Sequence, residues 1–168
     1  MKRRSLLAGA AASSLACPAI GANPKTLLFV PQSGLASLDP MWTSAMTTRN
    51  VGFMIYDVLF GRDEHMNPRP QMLEGYVVED DGKRWVMTLR PHLWFHDGEK
   101  VLARDCVVSL RRWMKRNPAG GALEERIDEL VAVDDRTLKF RLNKPYPHLR
   151  MVLSQFIIPP LMMPERLA

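Results

Sequence analysis

The chain has little with which to do covalent chemistry. Its 168 residues hold two cysteines, Cys17 and Cys106. Cys17 lies in a leader-like segment, so Cys106 is alone in the expected mature chain and has no partner for an intramolecular disulfide. Cys106 also falls on the apolar stripe of an expected helix, where a small buried hydrophobe is a better reading than a nucleophile. No GxSxG elbow, P-loop or GxGxxG turn occurs, so nucleophilic hydrolysis and nucleotide binding have no signature. No internal repeat or low-complexity tract appears, and after residue 22 there is no apolar run of membrane-crossing length. A strong excess of one charge is missing too. The formal net charge is +5, but Lys2, Arg3 and Arg4 supply three of those charges. No Lys/Arg run with interleaved aromatics follows, so the basic balance is not a nucleic-acid footprint.

What is present begins with residues 1–22, MKRRSLLAGAAASSLACPAIGA. A charged start, a short small-apolar middle and small closing residues make a secretory signal peptide rather than a membrane span. Arg3-Arg4-Ser5-Leu6-Leu7 has the form of a Tat-type address, with a plain Sec signal that happens to hold two arginines as the alternative. Cleavage after Gly21 or Ala22 is expected. Leu15-Ala16-Cys17 hints at a lipoprotein cysteine, although Ser14 stands where such signals usually carry leucine. The expected mature chain is residues 23–168, exported to the periplasm and soluble or at most lipid-tethered.

Beyond the leader, strand and helix periods alternate. Residues 25–30 (KTLLFV) read as a strand between Pro24 and Pro31, and residues 32–50 as polar and irregular. Val51, Met54, Ile55, Val58 and Leu59 keep helical spacing, with Gly61 in the position that follows a helix. Tyr76-Val77-Val78 is a short strand closed by Asp80-Asp81-Gly82. The stretch 84–110 organises the rest. Trp85, Met87 and Leu89 alternate as in a strand, Pro91 stops it, and Asp97-Gly98 turns the chain. Cys106, Val107, Leu110, Trp113 and Met114 then form one helical stripe. Asn117-Pro118-Ala119-Gly120-Gly121 reads as a stop, residues 122–130 as a short charged helix, and residues 148–156 as another short helix. Val131-Ala132-Val133 and residues 137–142 (TLKFRL) form a hairpin around Asp134-Asp135-Arg136. The fold class is α/β (mixed α+β).

Residues that could carry chemistry have structural readings beside them. His92 and His96 are four apart, the spacing of two metal ligands on a helix, but Pro91 and the turn make the segment extended and no third ligand is near. A secreted metal-binding or enzymatic domain using this pair is the alternative function. Asp80-Asp81 and Asp134-Asp135 could be paired carboxylates, yet each sits where a turn uses Asp to bond its own backbone. Trp42, in a polar loop with Thr43 and Ser44, can line a ligand cleft or cover a core edge.

In their order, the segments resemble the N-terminal part of a family-5 extracellular solute-binding protein, the peptide- and nickel-type receptors of bacterial ABC importers. The matching pieces are Leu38-Asp39-Pro40, Ile55-Tyr56-Asp57-Val58-Leu59-Phe60 and Pro70-Gln71-Met72-Leu73-Glu74-Gly75-Tyr76. Asp80-Asp81-Gly82-Lys83, Thr88-Leu89-Arg90-Pro91, Phe95-His96-Asp97-Gly98, Ala103-Arg104-Asp105-Cys106-Val107 and Ser109-Leu110-Arg111-Arg112-Trp113 follow. The resemblance implies a partial lobe of a two-lobed, hinged receptor with no cofactor and no catalysis. Its partners would be a small ligand, a peptide first, and the permease subunits, with no nucleic acid and no membrane contact except through the permease. It nominates Met41, Trp42, Thr43 and Gln155 as ligand contacts, and it reads Phe95-His96-Asp97-Gly98 as structural. Two departures stand out. Leu102 replaces the family's capping threonine before the helix, partly offset by Asp105. The length is also roughly a third of the family's, so residues 23–168 read as an N-terminal portion, a truncated product that folds poorly being the bland alternative.

Overall fold

The computed structural model describes residues 27–168. The signal-peptide reading, Cys17, and Lys25 with Thr26 all lie outside the described residues. The expected first strand is absent over residues 27–30. A strand forms only when a neighbour takes its N–H and C=O groups, and among the described residues none does so for that run.

The body, residues 32–168, is built on a four-stranded antiparallel sheet. Its strands are β4 (Leu73–Glu79), β5 (Arg84–Leu89), β6 (Ile127–Ala132) and β7 (Thr137–Leu142), in the order β4-β5-β7-β6. Period-two burial is clean. Trp85, Met87 and Leu89 of β5 and Leu138, Phe140 and Leu142 of β7 all point inward. Helix α2 (Ala103–Met114) covers this face from the β6–β7 side. Its expected stripe, Cys106, Val107, Leu110, Trp113 and Met114, is buried throughout. Burial pushes the Cys106 thiol far up, with the Asp105 charge adding to it, so the sulfur stays neutral and inert.

The turns use the residues the sequence offers. Asp80, Asp81 and Gly82 all take positive φ between β4 and β5. At the β6–β7 turn, Asp134 Oδ1 accepts from the N–H groups of Arg136 and Thr137, both at 2.8 Å. That Arg136 hydrogen bond is the main reason its carboxyl lies below the usual range. Both aspartate pairs are therefore turn residues.

Three elements differ from expectation. The first helix, α1, spans Met46–Ile55, not residues 51–59. Its buried residues are Thr47, Thr48 and Gly52, whereas Phe53, Met54 and Ile55 face outward, so the apolar spacing tracks its exposed side. Val58 and Gly61 belong to strands instead: β1 (Asp57–Val58) pairs with β8 (Leu161–Met162), and β2 (Phe60–Arg62) pairs with β3 (Pro68–Pro70). Third, Asn117-Pro118 does not merely stop α2. Asn117 Oδ1 accepts from the N–H groups of Ala119 and Gly120 and caps α3 (Pro118–Glu124), with Pro118 at the first helical position. The chain then enters β6 at Ile127, where the charged-helix reading fails. A last short helix, α4, covers Leu149–Leu153.

The C-terminal segment is strapped to α2. Leu102 has no side-chain cap to offer, and the carboxylate of Asp105 takes over. Its Oδ2 accepts from the Leu102 N–H and its Oδ1 from the Glu165 N–H, both at 2.8 Å. Ser109 Oγ donates to the Met163 carbonyl at 3.1 Å and accepts from the Met163 N–H at 3.0 Å.

Candidate functional site

The loop carrying Met41, Trp42 and Thr43 is held by Arg112 of α2 and by Arg116 in the turn that follows it. Arg112 forks onto Asp39, Nη1 donating to Oδ1 at 3.2 Å and Nη2 to Oδ2. That fork is the main cause that holds the Asp39 carboxyl below the usual range, and it raises the guanidinium's own value in return. Asp39 Oδ1 also accepts from the Met41 N–H at 3.1 Å, an Asx-type turn. Just past the end of α2, Arg116 lies 3.8 Å above the Trp42 ring. Beneath the loop, Pro40 sits where a Cβ on Gly52 of α1 would approach to 3.0 Å, so α1 and the loop touch only because residue 52 lacks a side chain.

The nominated residues differ in what they present. Met41 is 3% exposed and belongs to the core, its sulfur 3.5 Å from Arg112 Nη1. Trp42 is 62% exposed, one indole face taken by Arg116. Thr43 is half-buried, and its Oγ1 accepts from the Ala45 N–H at 3.1 Å. Gln155 follows α4 and is half-buried. It borders a different hollow, of about 380 Å³, walled by Phe53, Val58, Phe60, Met66 and Phe156. Gln155 Nε2 reaches the Ile158 carbonyl at 3.4 Å, the oxygen that also accepts from Trp113 Nε1 at 2.8 Å. Met41, Trp42 and Thr43 do not line that hollow.

The histidine pair does not converge. His92 takes φ of +63° in the bend after β5, and His96 Nε2 lies 3.1 Å from the Ile55 carbonyl oxygen. The two border different hollows. Among the described residues no group of three His, Cys, Asp or Glu side chains is gathered as a metal site. Trp94 and Lys100 instead bridge around Asp97-Gly98, with Gly98 at φ +89°. The segment is a turn.

Sequence reasoning passed over Arg49 and Arg62. Both reach the ring of Phe156 from elements distant in the chain, and no local motif marks them.

Residues 67–166 match the model of the bacterial extracellular solute-binding proteins, family 5, middle part. The chain belongs to that family. Among the chain's relatives is the probable peptide ABC transporter periplasmic-binding protein y4tO of Sinorhizobium fredii. It is 38% identical over 120 residues, covering 71% of this chain and 23% of its own length. The glutathione-binding protein GsiB of Salmonella typhi is 32% identical over 150 residues, covering 87% of this chain and 28% of its own. Among solved structures, MoaA of A. tumefaciens R10 in complex with mannopinic acid superposes with a TM-score of 0.67. It is 25% identical and covers 77% of this chain and 27% of its own. The family-5 chain therefore spans about a quarter of the length of the curated relatives it matches, and its fold is part of one lobe of a periplasmic binding protein.

Proposed function

We propose that this chain is the N-terminal portion of the solute receptor of an ABC importer. It captures a small ligand, a peptide first, in the periplasm and delivers it to membrane permease subunits without chemical change. Family membership across residues 67–166 carries the reading. Relatives named for peptide transport and glutathione binding support a peptide-like substrate class. Within this portion, Trp42, Thr43 and Gln155 are the ligand-facing residues, and buried Met41 fixes the height of its loop over α2. Residues 23–168 serve as scaffold and one wall of the cleft, with no cofactor.

Two measurements test this. The full-length product of the reading frame that encodes this chain is melted against di-, tri- and oligopeptides and glutathione, and a strain lacking the frame is assayed for uptake of the same compounds. At least one class should raise the melting temperature and lose uptake in the deletion strain. A flat panel in both assays refutes the reading. Residues 1–22 act as the export signal, entering by the Tat route. Arg3→Lys with Arg4→Lys should leave precursor in the cytoplasm, and unchanged export with a Sec-blocked arrest would assign the Sec route instead.

A further inference from the structure

We propose that Arg49, Arg62 and Phe156 bind the carboxylate of an apolar organic acid, the hollow beside them taking its apolar part. The proposal rests on the receptor reading above and names the ligand class for this surface. Arg49 comes from α1, Arg62 from β2, and Phe156 from the segment after α4. Their guanidinium carbons stand 6.0 and 5.5 Å from the centroid of the same ring, which is 45% exposed.

Neither arginine has an acidic partner among the described residues. Arg62 is oriented rather than neutralised. Its Nε donates to the Ser154 carbonyl at 2.9 Å and to Ser154 Oγ at 3.3 Å, and Nη2 reaches only the Met151 carbonyl at 3.5 Å. The one acid bordering the hollow, Asp63, is already engaged. Its Oδ1 accepts from the His65 and Asn67 N–H groups, and its Oδ2 from Arg69 Nε at 2.9 Å. Both guanidinium carbons lie within 6.0 Å of that ring, and a carboxylate bound beside it is attracted by either charge. Arg62 spends Nε and one Nη2 contact on Ser154 and Met151, which leaves its Nη1 to donate to a carboxylate. The wall of Phe53, Phe60 and Met66 accepts an apolar substituent.

A free acid and a peptide C-terminus present the same chemistry, so the test uses both. Calorimetry on the full-length product is run with Ala-Phe, its C-terminal amide, and 3-phenylpropionate. The expected result is Ala-Phe binding at least roughly tenfold tighter than the amide, since losing a charge-assisted contact costs that order. Arg49→Gln should abolish that preference with an unchanged melting temperature, and Arg49→Lys should restore part of it. Binding of 3-phenylpropionate with the same Arg49 dependence points to free acids as the ligand source; its failure beside Ala-Phe binding points to peptide termini. Equal binding of Ala-Phe and its amide overturns the proposal and leaves the receptor reading standing. Binding of none of the three, with other peptides bound, also overturns it. A protein that binds nothing in either panel loses both.

Discussion

Replacing Asp105 by alanine should be among the most destabilising single changes in the body. Asp105 is 6% exposed, and each of its carboxylate oxygens accepts one backbone N–H at 2.8 Å, from Leu102 and from Glu165. A hydrogen bond to a charged group contributes about 1.5–3 kcal/mol, and a donor left buried without a partner costs a similar amount. The negative charge near the start of α2 adds up to about 1 kcal/mol through the helix dipole. The combined loss is on the order of 3–5 kcal/mol, against total stabilities of roughly 5–15 kcal/mol for a domain. Asn cannot repair the site, because its NH₂ would face one of the two N–H donors, so Asp105→Asn should recover about half. Urea unfolding at pH 7 reads the loss as a lower midpoint at constant slope. Amide hydrogen exchange gives the sharper signature: Leu102 and Glu165 should lose protection ahead of β5 and β7. A loss under about 0.5 kcal/mol for Asp105→Ala, or unchanged protection at those two amides, refutes the strap.

Gly120→Ala should destabilise the protein by about 1–3 kcal/mol, although alanine ordinarily favours a helix. Its Cβ would stand 2.8 Å from the Met114 Cα and 3.1 Å from the Trp113 ring, and the first of these is backbone that cannot step aside. A thermal melt showing equal or higher stability would contradict that packing. Asp39 has a folded-state pKa held below its unfolded value, so its contribution is full above the unfolded value of about 3.9 and is lost as pH falls through the folded one. Asp39→Asn should therefore be less stable than wild type near neutrality and converge with it in strong acid. Parallel pH profiles would remove the Asp39–Arg112 fork from the account. Arg116→Ala should expose the second indole face of Trp42 and increase quenching of its fluorescence by acrylamide, with little change in stability.

The parts legible in the sequence are those whose burial follows a single period. The α2 stripe and the alternation along β5 and β7 are set by which residues meet the core, and composition displays that directly. Helix α1 is illegible for the opposite reason. It buries two threonines and a glycine, while its methionine and phenylalanine side chains face out, so hydrophobicity points the wrong way round the helix. Strands β1 and β8 are two residues each, and only their pairing across the body makes them strands. Asn117-Pro118 has two meanings, stop and start, and only the cap geometry chooses between them. Of the nominated contacts, Trp42 was legible as an aromatic in a polar loop, whereas the approach of Arg49 and Arg62 to Phe156 depends on long-range packing.

Asp57 and Met162 lie directly opposite each other in the β1–β8 pair. Opposed residues in an antiparallel pair are about 5 Å apart. The polypeptide between them, which includes the whole four-stranded sheet, therefore leaves from and returns to nearly one point. Such a segment behaves as a cassette: its removal would leave a gap that one or two residues could bridge. The sheet can thus change in sequence without altering where the chain enters and leaves, whereas α2, which holds Asp39, Met163 and Glu165, ties the cassette to the flanking chain.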